Sequence, residues 1–193
     1  MITLRTFIAI DFPNQVIEKI NKIQKSLNGS TSSVIRWIKP ENIHMTLKFL
    51  GEVELEKVQI IGNNLDIIAS EMVPFHLNLE RIGAFPNWGH LKIVWIGIEK
   101  SEPFLLLAKE IEKNMRNLGC QREIKPFSPH LTIGRVRDNV SLEDIQMLEI
   151  KCRTLSRIED QIMITKIHLY KSDLHPLGPV YTSLYSSSFK ATT

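Results

Sequence analysis

Residues 38–44 read IKPENIH and run on as MTLKFL, and residues 124–130 read IKPFSPH and run on as LTIGRV. The shared string Ile-Lys-Pro, three residues, His, any residue, Thr is displaced by 86 positions, close to half of a 193-residue chain. A long block written twice at that spacing constrains the fold strongly. The period is too long for a solenoid unit and there are only two copies, so the chain reads as a duplicated small α+β lobe.

The echo extends beyond the block. Strand-like TFIAIDF (6–12) answers KIVWIGIE (92–99), both apolar and β-branched. Each is followed by a helical pattern. In residues 16–29 Val16, Ile17, Ile20, Ile23 and Leu27 share one face, and in residues 104–119 Leu107, Ile111, Met115 and Leu118 do; each pattern stops at a glycine. After the histidine blocks, 56–72 reads as a helix and 75–85 as a strand, and 141–150 reads as a helix opened by a Ser141 cap with Asp144 three residues on, then 162–174 as one strand. Each half is therefore strand, helix, histidine strand, helix, strand. The expected organisation is a single bilobal domain over 1–193, with duplicated halves 1–87 and 88–175 and a tail 176–193 that wraps as an edge segment before fraying.

Composition narrows the class. At 43% hydrophobic and 23% charged residues the chain falls among ordinary soluble globular proteins, and no run approaches the roughly 20 apolar residues of a membrane-spanning helix. The first residues, MITLRTFIAIDFP, lack a basic leader and read as a strand and not as a signal peptide, so the expected compartment is the cytoplasm. Cys120 and Cys152 have no metal spacing and read as free thiols. The net charge of +3 permits a polyanionic ligand without requiring one.

In a strand, alternation sets His44, Thr46 and Lys48 on one face with Met45, Leu47 and Phe49 on the other, and in the second copy His130, Thr132 and Gly134 oppose Leu131 and Ile133. Two imidazoles titrating near neutrality can divide acid from base work, and threonine hydroxyls beside them can bond phosphate oxygens. Such a pair suits displacement at phosphorus with attacking and leaving oxygens in line. A metal site is disfavoured, since no Asp, Glu or Cys stands at ligand spacing beside either histidine. His76, His90, His168 and His175 stand in no repeated context and read as structural or surface residues.

With RTFIAIDFP, RWIKPENIHMTLKFLGEV, RIGAFP, KPFSPHLTIGRV, HLYKSDL and GPVY in that order, the chain resembles the 2H phosphoesterase superfamily, and within it the RNA 2′,3′-cyclic phosphodiesterases once called 2′-5′ RNA ligases. The resemblance implies a bilobal α+β fold of two pseudo-twofold-related lobes, with antiparallel sheets lining a central cleft and helices outside. It implies hydrolysis of an RNA-terminal 2′,3′-cyclic phosphate to a 2′-phosphate with no metal or other cofactor. His44 would protonate the departing 3′ oxygen, His130 would activate water, and Thr46 and Thr132 would hold the phosphate.

Arg135 is a further candidate for the phosphate, on condition that the strand bends after Gly134, with a structural ion pair as the other reading. Phe127, Phe7 and Arg5 are candidates for contact with a base, against core packing or solvation. Lys113, Arg116, Arg122 and Lys125 offer positive charge to RNA, against the ordinary reading of solvated surface. Alternative functions are a 2′,5′-RNA ligase or phosphodiesterase, a phosphodiesterase of small cyclic nucleotides, and a non-catalytic nucleotide- or RNA-binding module. The expected partner is RNA or a related nucleotide, with no membrane and a monomeric state.

Overall fold

The computed structural model describes residues 2–191 except 30–32, 125–126, 156–157, 159 and 177. Lys125 and Pro126, members of the second motif copy, lie outside the described residues. The first half runs β1 (Thr3–Ile10), α1 (Asn14–Asn28), β2 (Ile35–Trp37), a 3-10 turn at Pro40–Asn42, β3 (Met45–Glu54), α2 (Lys57–Ser70) and β4 (Phe75–Phe85). The second runs β5 (Ile93–Ile98), α3 (Glu102–Asn117), β6 (His130–Val136), α4 (Leu142–Thr154), β7 (Gln161–Ile164), β8 (Lys166–His175) and β9 (Gly178–Ser188).

Local chemistry explains the helices. α1 buries Val16, Ile20 and Leu27, and α3 buries Phe104, Leu107, Ile111 and Met115, the faces their apolar spacing predicts. Pro103 in the first turn of α3 has no amide hydrogen to waste. α4 opens on a reciprocal cap, with Ser141 Oγ accepting from the Asp144 amide (3.1 Å) and donating to the Asp144 carboxylate (2.8 Å). Gln24 is the one buried polar residue of α1, and its amide donates to the carbonyls of Ile38 (2.8 Å) and Ile133 (2.9 Å), which fixes the helix over the segment leading to His44 and the strand that carries His130.

Two antiparallel sheets result, of order β3-β1-β8-β9 and β2-β6-β5-β4-β7. Each contains the same run: a histidine strand, the first strand of its own half, and the last strand of the other half. β4 has left the first half to pair with β5, and β8 has left the second to pair with β1. The helices sit outside. α2 packs on β3, β8 and β9, α3 on β3, and α4 on β4 beside α1.

Two expectations are corrected. The single strand expected over 162–174 is two strands in different sheets, because Ile162 and Ile164 are buried beside β4 whereas Ile167 and Leu169 are buried beside β1 and β9. The chain crosses between sheets at Thr165, whose carbonyl accepts from the Phe189 amide (2.7 Å). The tail does form the sheet edge, but as an 11-residue strand that stays paired through its serine-rich stretch instead of fraying there. No helix among the described residues is long and apolar enough to cross a membrane, which leaves strand-built spans unaddressed. Both cysteines are free.

Candidate active site

Each histidine comes two residues after a carbonyl that it binds. His44 Nδ1–H donates to the Asn42 carbonyl (2.9 Å), and His130 Nδ1–H donates to the Ser128 carbonyl (2.6 Å). A carbonyl only accepts, so the hydrogen of each neutral ring sits on Nδ1 and its bare Nε2 is the atom left for chemistry. The prolines contribute to this geometry. Pro40 begins the 3-10 turn that ends at Asn42, and Pro129 keeps Ser128 out of helical conformation. His44 Nε2 lies 3.1 Å from Thr46 Oγ1, so the hydroxyl two residues on addresses that nitrogen directly.

Beyond the threonines strict alternation fails, at the same place in both copies. In β3 the register against β1 slips at Leu47, pairing Ala9 with Thr46 but Ile8 with Lys48, and it slips again at Leu50. In β6 the register against β5 slips at Ile133, pairing Trp95 with Thr132 but Val94 with Gly134. Each slip is a bulge that adds one residue and reverses the facing of the residues beyond it. Lys48 therefore leaves the histidine face and is buried, its ammonium on Glu112 (2.6 Å) and the Gln121 carbonyl (2.8 Å). Phe49 takes its place on the histidine face, 63% exposed, with its ring 6.1 Å from that of Phe7.

In the second copy Gly134 turns toward Ile35 and Trp37, where an added Cβ would stand 2.4 Å from Ile35 Cδ1. Arg135 returns to the face of His130 and Thr132. The bend on which its candidacy depends thus lies before Gly134, not after it. The expected placing of Lys48 and Gly134 beside the histidines is corrected for the same reason.

The walls around the rings are aromatic. His44 meets Phe7 (4.8 Å between centroids) and the edge of Tyr181 (5.0 Å). His130 meets the edge of Phe85 (4.8 Å) and the indole of Trp95 (6.1 Å). Gly83 is what lets that indole lie flat, since a Cβ there would stand 2.2 Å from Trp95 Cη2. Burial lowers both imidazoles below the ordinary histidine value, and in both the carbonyl bond partly offsets this. The nearest charges act oppositely: the Asp11 carboxylate raises His44, and the Arg135 guanidinium lowers His130 further. Burial pushes the Tyr181 phenol up, and the Arg135 and Arg5 guanidiniums draw it down.

The remaining candidates divide between core and surface. Phe127 packs on Phe104 of α3 (5.6 Å) and serves the core. Phe7 lines the His44 ring, and Arg5 is exposed near Tyr181. Sequence reasoning missed Phe49, Phe85, Trp95 and Tyr181, whose only signal was aromatic character on strands flanking the motifs. A cavity of about 810 Å³ is lined among others by Phe49, Glu52, Lys57, Cys120, Arg122 and Ile124, and neither histidine is in its lining. Among the described residues no group of three or more His, Cys, Asp or Glu side chains is placed to hold a metal ion.

Comparison with known proteins bears directly on this arrangement. The family described as LigT like Phosphoesterase matches the chain twice, over residues 10–95 and 96–181, two segments that repeat with the 86-residue period of the histidine motif. A protein of Archaeoglobus fulgidus named RNA 2′,3′-cyclic phosphodiesterase is 35% identical over 182 residues, 94% of this chain and 98% of that one. One of the same name from Methanocaldococcus jannaschii is 36% identical, covering 92% of this chain and 96% of its own length. The crystal structure of E. coli LigT complexed with 3′-AMP superposes with a TM-score of 0.79 at 25% identity, covering 98% of this chain and all of that one.

Proposed function

The chain belongs to the LigT-like phosphoesterase family, and from that premise we propose that it hydrolyses the 2′,3′-cyclic phosphate at the end of an RNA to a 2′-phosphate, without a metal. The observation that carries the reading is the matched presentation of two Nε2 atoms, each fixed by an Nδ1–H bond to the carbonyl two residues back. The names of the relatives supply the substrate class, and the 3′-AMP bound to E. coli LigT is in keeping with a nucleotide site in a chain of this fold.

In this mechanism water attacks phosphorus while His130 Nε2 takes its proton. The P–O3′ bond breaks as His44 Nε2–H delivers a proton to the 3′ oxygen, leaving phosphate on the 2′ oxygen. Thr46, Thr132 and Arg135 hold the non-bridging oxygens, with the guanidinium best suited to their charge. The opposite effects of Asp11 and Arg135 support this division, since a neighbouring carboxylate favours the charged acid and a neighbouring guanidinium the neutral base. Phe49, 63% exposed, and Tyr181 offer ring surface to a terminal base, whereas Phe7, 3% exposed, backs them from within and is corrected as a base-contact candidate.

The experiment is incubation with a nucleoside 2′,3′-cyclic phosphate in excess chelator, with the product read by phosphorus NMR. A 2′-phosphate is expected. A 3′-phosphate would reverse the roles of the two histidines, and complete loss of turnover in chelator with restoration by a divalent ion would overturn the metal-free scheme.

A further inference from the structure

We propose that Asp11 is a positioning residue that makes His44, and not His130, the acid of the pair, by standing across from its ring as a carboxylate anchored by Tyr170. This rests on the two-histidine reading and deepens it. The β1–β3 register pairs Ala9 with Thr46 and Ile10 with Met45 as its last pair, so Asp11 and His44 are the next residues beyond the ladder on their two strands and follow it on the same face as Ala9 and Thr46. The Tyr170 hydroxyl donates to Asp11 Oδ2 (2.5 Å), and His168 Nε2 lies 3.4 Å from the same oxygen. Tyr170 stands on the same wall: its ring stacks on Phe7 (5.5 Å), and Phe7 lies against His44.

The second half lacks this device. The position 86 residues on from Asp11 is Gly97, which pairs with His130 and has no side chain. Glu80 covers it, 3.2 Å from where a Cβ would be, but the charge that acts on His130 is Arg135. A carboxylate thus attends one histidine and a guanidinium the other.

The groups around His44 leave Asp11 as its charged neighbour. β3 and its lead-in present the Asn42 carbonyl and the Thr46 hydroxyl, β1 presents Phe7 and Asp11, and β9 presents Tyr181. From β8, Tyr170 and His168 address Asp11. Arg5 and Arg135 act on Tyr181, and Lys166 acts on His168. The rival for the carboxylate is His168, 6% exposed. Burial lowers it, against the pull of Asp11 and with a further push down from Lys166, so near neutrality it brings no charge to cancel that of Asp11. Burial, with the Asp11 bond and charge behind it, pushes the Tyr170 phenol far up, which keeps it a donor.

The test is Asp11→Asn, read by NMR titration of the individual histidine rings without substrate and by the pH profile of kcat/KM. The His44 midpoint is expected to fall while that of His130 stays in place. The alkaline limb of the profile should move down with it, giving about a tenfold loss at pH 8 and little change at pH 5. A structural role for Asp11 would lower stability and move neither. Tyr170→Phe, which frees the carboxylate without removing it, is expected to shift His44 the same way by less, and it serves if Asp11→Asn does not fold. An unmoved His44 midpoint in the folded variant, or an equal movement of His130, would overturn the inference. A His44 shift in a protein that hydrolyses no cyclic phosphate would uphold the coupling of Asp11 to His44 and dispose of the proposed function instead.

Discussion

Around His44 the rings of Phe7 and Tyr181 close in and the acting charge is the Asp11 carboxylate; around His130 the rings are Phe85 and Trp95 and the acting charge is the Arg135 guanidinium. The backbone devices are the same in both places: a carbonyl two residues before the histidine, a threonine two residues after it, and a bulge immediately beyond the threonine. What the copies share is geometry, and what separates them is charge. Shared geometry presents two equivalent nitrogens, and unequal charge is the basis of the different work proposed for them.

The sharpest way to break the comparison is to remove each ring. His44→Ala and His130→Ala are each expected to lower turnover of a nucleoside 2′,3′-cyclic phosphate by about 10²–10⁴-fold with the circular dichroism spectrum unchanged. If either folded variant keeps near-wild-type rates, the two strands do not act as a pair. Next come the side chains that the bulges deliver, Phe49 and Arg135, again 86 positions apart. Arg135→Ala removes charge-assisted bonds to phosphate, and kcat/KM should fall about 10–100-fold. Phe49→Ala removes only a stacking face, and a loss of about threefold to tenfold is expected. Equal losses would mean that the position and not the charge matters.

The residues turned away by the bulges differ in the same manner, but their effect is on stability. Lys48→Met leaves the Glu112 carboxylate without its partner, and because Glu112 is partly exposed the cost should be about 2 kcal/mol by urea unfolding. Gly134→Ala drives a methyl against Ile35, which is fully buried, with Trp37 beside it, for a cost of about 1–3 kcal/mol. A larger penalty at Gly134 would show that β2 is held more rigidly than its three residues suggest.

The smallest effect is in pH. His44, His130 and His168 are all lowered in the folded chain, first by burial. Their unfolded value is near 6.5, so the stability tied to their neutral forms is present above that pH and is lost as pH falls through the folded values. The urea midpoint should therefore drop between pH 7.5 and 5, and drop less in His44→Ala and His130→Ala. The kcat/KM maximum of the free enzyme should likewise lie on the acid side of 6.5.

The histidines and threonines were legible because their pairing depends only on a spacing of two along one strand, and the helices because apolar residues recur on one face. The bulges were not. An extra residue in β3 or β6 is defined against β1 or β5, and the sequence of Thr46-Leu47-Lys48 carries no mark of it. Arg135 shows the consequence: alternation alone turned it away from Thr132, and the register of a neighbouring strand turned it back. The crossing at Thr165 was hidden similarly, since β7 and β8 form one apolar, β-branched run whose two parts differ only in the partners they find. The aromatic shell was scattered over β4, β5 and β9, and Phe127, nearer the motif in sequence, was the more conspicuous ring and belongs to the core.

The exchange of last strands between halves sets an order of events during synthesis. The sheet that carries His130 needs nothing beyond Ile164, the end of β7, whereas the sheet that carries His44 waits for β8 and β9, the last of which ends at Ser188. β1 is made before every other strand of its sheet and finds its β8 neighbour only after β2 to β7 have been made, a closure between distant segments that is entropically costly and slow. A nascent chain therefore completes the sheet of His130 before that of His44, and both histidines stand in finished sheets only once β9 has been made.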